Sequence, residues 1–182
     1  MDKDRTRWNH RYRNSPPPER VCSLLPEHVP DRENAVALDL AAGTGANSVF
    51  LADKGYEVFS VDIADAAIER IREQNHPRIR PIQADLDTYR PPAEHFDLVL
   101  TVRFLDRRLF PYLSEALAPG GTLIIHTLLD DPSRDCPQMT SNRDHLLRPN
   151  ELLRAFSHLR IVFYREHLST TECLASLVAS RE

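Results

Sequence analysis

The run Ala35-Val36-Ala37-Leu38-Asp39-Leu40 is apolar at every position but one. A strand with one wet face alternates polar and apolar residues. A run without alternation belongs to a strand covered on both faces, which in water-soluble chains means a largely parallel sheet flanked by helices. Downstream the pattern repeats with helical segments in between. Helices are predicted over 46–54, stopped by Gly55, and over 64–75, closed by Pro77, with strands over 56–62 and 79–83. Pro81 inside the third strand points to a sheet edge. A fourth strand is expected over 96–101, a helix over 107–117, and a fifth strand over 122–127, entered through Pro119-Gly120-Gly121. After an irregular stretch at 128–148, a helix is expected over 149–156, with Pro149 at its start. Two final strands over 160–166 and 173–179 have no helix between them and should pair as an antiparallel hairpin at one edge. Strand–helix alternation of this kind requires right-handed crossovers, hence an α/β fold.

At 182 residues the chain suits one domain, expected over 21–182, preceded by an arm over 1–20. The arm is polar and basic and ends in Ser15-Pro16-Pro17-Pro18, which enforces an extended exit. Residues 5–13 could form a short helix, and Trp8 and Tyr12 would then share one face, as expected of an arm docked on the body. The formal net charge of −4 lacks the basic excess of a nucleic-acid or membrane-surface binder, so neither partner is expected. No apolar run is long enough to span a bilayer, and the charged opening from Met1 to His10 is unlike a signal peptide; a cytoplasmic protein is expected. Cys22, Cys136 and Cys173 lie far apart, as reduced thiols would, and the histidines show no metal-ligand spacing, so no metal is expected.

Of five glycines, Gly43 and Gly45 fall between the first strand and the first following helix. In a doubly wound sheet a ligand meets the backbone and a helix N-terminus at that point. Asp62 ends the next strand, nineteen residues after Gly43, where a carboxylate can accept both hydroxyls of a ribose. Nicotinamide enzymes share this layout, but their third small position is Ser48 here. Asp39, at the end of the first strand, is awkward beside a pyrophosphate and useful beside an ammonium group. An alternative for Asp39 is a carboxylate that braces the loop.

The segment Leu38-Asp39-Leu40-Ala41-Ala42-Gly43-Thr44-Gly45 resembles the first motif of the class I S-adenosylmethionine-dependent methyltransferases, with Ala41 where glycine is commoner. Val61-Asp62-Ile63 is similar to their ribose-binding motif, Ala84-Asp85-Leu86 to the segment that contacts adenine, and Leu117 to Leu123 to the turn into the fifth strand. Trp8 to Tyr12, Arg103 to Arg107 and Leu146 to Leu153 resemble the small bacterial branch related to tellurite-resistance and thiopurine methyltransferases. The resemblance implies a three-layer Rossmann-like fold with a seven-stranded, mostly parallel sheet in the order 3-2-1-4-5-7-6, closed by an antiparallel C-terminal hairpin. It implies S-adenosylmethionine as cofactor and S-adenosylhomocysteine as product, without a metal. The cofactor would lie on Arg11, Tyr12, Asp39, Ala41, Gly43, Gly45, Asp62, Ile63, Asp85, Leu86 and Arg103, with the arm as a lid.

The expected activity is methyl transfer to a small nucleophile: a thiol, a metalloid species or a similar small molecule. The small lid favours such an acceptor over a macromolecule. Arg103 and His126 are the candidate catalytic residues, His126 as a base for acceptors that carry a proton. Two other classes stay open, a non-catalytic S-adenosylmethionine-binding regulatory module and a nicotinamide-dependent oxidoreductase. Monomer and homodimer are equally compatible with the sequence.

Overall fold

A computed structural model describes residues 2–14, 20–131 and 142–182; the proline run at 15–18, residues 132–141 and Cys136 lie outside the described residues. The chain divides into two compact units, Met1–Pro92 and Ala93–Glu182. The first contains α1 (Asp2–Asn14), α2 (Leu24–His28), β1 (Val36–Leu40), α3 (Ala46–Asp53), β2 (Glu57–Asp62), α4 (Asp65–Glu73) and β3 (Ile79–Gln83). Strand β2 lies between β1 and β3 and is parallel to both, in registers that set Val36 opposite Glu57 and Val58 opposite Ile79. Four of the five residues of β1 are buried, as the unbroken apolar run requires. Helix α4 buries Ala66, Ala67, Ile68 and Ile71 and leaves Glu69, Arg72 and Glu73 in solvent, the division expected at a 3.6-residue period. Pro81 sits on β3 opposite Ser60, in a strand that ends the sheet order, where its missing N–H is harmless.

The second unit contains β4 (Phe96–Val102), α5 (Phe110–Ala116), β5 (Leu117–Leu128), α6 (Glu151–Ala155), β6 (Arg160–Leu168) and β7 (Cys173–Ser180). Strand β5 pairs parallel with β4 and antiparallel with β7, and β7 pairs antiparallel with β6. Seven of the eight residues of β7 are buried, whereas β6 alternates as an edge strand should. The strand order over the chain is β3-β2-β1-β4-β5-β7-β6. The mostly parallel seven-stranded sheet with its antiparallel terminal hairpin is therefore the one the sequence led us to expect.

Three local differences have physical causes. Helix α1 runs over thirteen residues, longer than the expected 5–13, because its stripe docks on α4. Strand β5 begins at Leu117, not after the glycines, because Pro119-Gly120-Gly121 is drawn into the ladder by the end of the chain: Gly120 N–H donates to the Arg181 carbonyl and Arg181 N–H to that of Gly121. Helix α6 starts at Glu151, two residues beyond Pro149, because Asn150 adopts a left-handed backbone (φ 60°). Cys173 is disulfide-bonded, which corrects the expectation of three reduced thiols; Cys22 is free and buried.

Gly121 occupies a position where backbone closes on backbone. A Cβ there would lie 2.7 Å from the Phe96 carbonyl oxygen and 2.8 Å from that of Ala118, both held in strands. Gly121→Ala is therefore expected to destabilise the fold by about 1–3 kcal/mol, read as a lowered urea midpoint. An unchanged midpoint would show that this ladder yields freely.

Candidate functional site

In the first unit the turn after β1 passes through three left-handed residues, Ala41 (φ 55°), Gly43 (φ 58°) and Gly45 (φ 90°), before α3 begins. Ala41 tolerates a conformation that glycine adopts more readily, which accounts for the departure seen in the sequence motif. Asp62, at the end of β2, governs the turn. Its Oδ2 accepts the Gly43 N–H and its Oδ1 the Ala64 N–H, each at 2.9 Å, and its carbonyl accepts the Ala84 N–H at 3.0 Å. Burial raises its pKa, opposed by the N–H groups of Ala64, Gly43 and Ile63.

Asp39 is only 1% exposed. Its Oδ2 accepts the Ser48 hydroxyl at 2.6 Å, and Ser48 Oγ accepts the Ser60 hydroxyl at 2.8 Å. The second carboxylate oxygen receives no side-chain or turn hydrogen bond among the described residues. Burial pushes the Asp39 pKa up to about 7; the Ser48 bond opposes the shift and the charge of Asp62 adds to it. Asp39 thus ties the end of β1 to α3 through Ser48.

Tyr12 reaches the same turn from α1. A Cβ placed on Gly43 would lie 3.2 Å from Tyr12 Oη, so the phenol lies directly over this glycine. Tyr12 stacks on Trp8 at 5.6 Å and packs on Ala64, Ala66 and Ala67. Burial raises its pKa, and the nearby Asp62 raises it further. Arg11 turns outward, its guanidinium 5.5 Å from the centre of the Trp8 ring. Half-buried Ile63 accepts Gln83 Nε2 on its carbonyl at 3.4 Å. Asp85 caps its own turn, taking the Asp87 N–H on Oδ1 at 2.9 Å, and Leu86 behind it is buried.

In the second unit Arg103 and His126 come together. Arg103, left-handed at φ 54°, donates its N–H to the His126 carbonyl at 2.8 Å, and its guanidinium pairs with Glu172 at 2.5 Å. His126 Nδ1 is 2.8 Å from Ser176 Oγ. Burial lowers the His126 pKa, as does the charge of Arg103, so the imidazole is neutral at pH 7. Three groups found here had no place in the sequence expectations, Ser60, Glu172 and Ser176, and Ser48 was weighed only as a small residue. Ser60 and Ser176 carry the only usable signal, single hydroxyls within runs patterned for burial.

A parallel sheet with a glycine-bearing turn at the carboxyl end of β1 and an acid at the end of β2 has the layout in which doubly wound sheets receive their ligands. Residues 37–121 match the family model for a methyltransferase domain. The fold is shared with an S-adenosylmethionine-dependent methyltransferase from Mesorhizobium loti, at 18% identity and a TM-score of 0.72 over 87% of this chain and 96% of that one. It is shared with TehB from Haemophilus influenzae, at 20% identity and 0.70 over 98% and 67%. A geranyl diphosphate C-methyltransferase from Streptomyces coelicolor, crystallised with Mg2+, geranyl diphosphate and S-adenosyl-L-homocysteine, gives 16% and 0.70 over 87% and 78%. No curated protein sequence matches the chain. Residues 37–121 thus carry the match to a methyltransferase domain, and the fold around them is the one these S-adenosylmethionine-dependent enzymes share. Among the described residues no helix is long and apolar enough to cross a membrane, and no cluster of His, Cys, Asp or Glu could hold a metal ion.

The raised pKa of Asp39 has a sign that can be measured. The folded protein holds this proton up to about pH 7, whereas the unfolded chain releases it near pH 3.9. Stability is therefore fully present below the unfolded pKa and is lost as pH rises towards the folded one, by at most about 1.4 kcal/mol per pH unit. Asp39→Asn, neutral throughout, should flatten this decline between about pH 4 and pH 7 in urea unfolding. Identical slopes in the two proteins would refute the shift.

Proposed function

We propose that the turn around Gly43 binds S-adenosylmethionine and that the enzyme methylates a small thiol, metalloid or similar small nucleophile. The observation that carries the cofactor placement is the Asp39 carboxylate itself, an acid 1% exposed at the end of β1 beside the Gly43 turn, tied to the protein through the Ser48 hydroxyl. Burial disfavours the charge on this acid, and an ammonium group supplies both a donor and the opposite charge. Asp62 fits the other end. Each of its oxygens takes one backbone N–H and keeps a lone pair, enough for the two hydroxyls of a ribose. Gly43 fits too, because with Tyr12 directly above it a side chain would crowd the space where the cofactor meets the backbone. Arg11 is proposed to meet the cofactor carboxylate, and Ile63, Asp85 and Leu86 to line the adenine side.

When bound, S-adenosylmethionine supplies a methyl group already activated by its sulfonium. The work left to the chain is positioning and exclusion of water. Asp39 and Asp62 fix the two ends of the ligand, and Trp8 with Tyr12 forms an apolar cover on the same turn. His126 is proposed as proton acceptor for an acceptor molecule that carries one. In the tautomer that donates from Nδ1 to Ser176, Nε2 holds the free lone pair. A small acceptor is supported by the net charge of −4 and by the small-molecule substrate bound to the geranyl diphosphate enzyme of the same fold.

Calorimetry should show S-adenosylhomocysteine binding to the full chain, with NAD silent. Asp62→Ala should weaken binding at least about tenfold, since hydrogen bonds to a charged group are worth about 1.5–3 kcal/mol each. Absence of heat with folded protein would overturn the cofactor placement. Binding without transfer to any thiol or metalloid acceptor would overturn the proposed acceptor class.

A further inference from the structure

Helix α1 presents Arg5, Trp8, Asn9 and Tyr12 at spacings of three, four and seven residues, which is one face of a helix. Every polar residue of that stripe meets α4 at its first turn. Arg5 binds Asp65 through two nearly parallel hydrogen bonds, Nε to Oδ2 at 2.9 Å and Nη2 to Oδ1 at 2.6 Å. Asn9 Nδ2 donates to Asp65 Oδ2 at 2.7 Å, while Asn9 Oδ1 accepts the Ala66 N–H at 2.9 Å. Helix α4 has no side-chain cap of its own, so a residue of the arm caps it. Gln83 Nε2, from the end of β3, completes the set on Asp65 Oδ1 at 2.7 Å. These bonds hold the Asp65 carboxyl well below the usual carboxylate range.

An isolated helix of thirteen residues is marginal in water, so α1 persists through what it touches. Its apolar contacts are Trp8 and Tyr12 on three alanines; its polar contacts to α4 converge on Asp65 and the adjacent Ala66. Asp65 lies only three residues beyond Asp62, on the segment that starts α4, so the place where the arm is held and the turn it covers are mechanically one piece.

We propose that Asp65 is a positioning residue, the latch that docks the arm so that Tyr12 closes the turn around Gly43. Its value to the enzyme rests on the cofactor placement proposed above. The competing role for Asp65 is local, an acid at the N-terminal end of a helix dipole, which would act without the arm. Arg5 separates the two, because Arg5→Ala leaves Asp65 and α4 intact.

Trp8 is the only tryptophan, so its emission reports the arm directly. In full-length Asp65→Ala and Arg5→Ala, Trp8 emission should shift to the red without ligand. S-adenosylhomocysteine affinity measured by calorimetry should fall about tenfold and about threefold respectively. The double variant should bind no more weakly than Asp65→Ala alone, as expected of residues that act through one contact. Unchanged Trp8 emission in both single variants would overturn the latch. A red shift with unchanged affinity would show that the latch holds the arm but does not serve the cofactor turn, which also overturns the proposal. Should wild-type protein fail to bind S-adenosylhomocysteine while the emission still shifts in the variants, it is the cofactor placement that falls.

Discussion

Asp62 joins three turns that share no other residue. Its carboxylate takes one N–H from the turn after β1 and one from the start of α4, and its backbone carbonyl takes one from the turn after β3. Burying a carboxylate is unfavourable, and those N–H groups are what make it tolerable. The dependence is mutual. Without the carboxylate, the left-handed turn at Gly43 and the first turn of α4 would each lose a partner in an interior with little water to replace it. The position of Tyr12, the capping of α4 by Asn9 and the brace from Gln83 to Ile63 all build on a segment whose geometry Asp62 fixes.

Asp39, on the neighbouring strand β1, is supported differently. No backbone N–H from the loop is directed at it, and its support is a pair of hydroxyls, Ser60 onto Ser48 and Ser48 onto the carboxylate. Burial raises the pKa of both acids; amide N–H groups oppose the shift at Asp62, and a hydroxyl opposes it at Asp39.

Much of this could be read from the residues. The apolar run at 35–40, the two glycines that follow it and Asp62 at the end of the next strand located β1, the turn and β2 within a residue or two, because burial on both faces and left-handed turns leave clear marks on a sequence. Pairings between distant positions left none. Arg103 was expected to face a ligand, and its guanidinium is engaged by Glu172, an ordinary turn residue by composition. Asp65 reads as a common helix-start acid until Arg5, Asn9 and Gln83 are seen around it. Ser48 entered the sequence reading as an imperfect glycine substitute; its hydroxyl proves to be the feature that counts. Likewise the spacing of three cysteines did not reveal that Cys173 is disulfide-bonded.

The antiparallel β7, inserted between β5 and β6, also sets a timetable. In the first unit each parallel pair joins residues about twenty positions apart, as with Val36 and Glu57 or Val58 and Ile79. The ladder from β5 to β7 joins residues about fifty apart, from Leu128 with Leu174 to Thr122 with Ser180. Closing the longer loop costs only about 0.8 kcal/mol more. That is small in the final balance, yet it must be met before any β5–β7 contact repays it. During refolding, amide protection should therefore spread through β1, β2 and β3 before it reaches β5 and β7, with the turn that Asp62 organises among the first parts of the molecule to take shape.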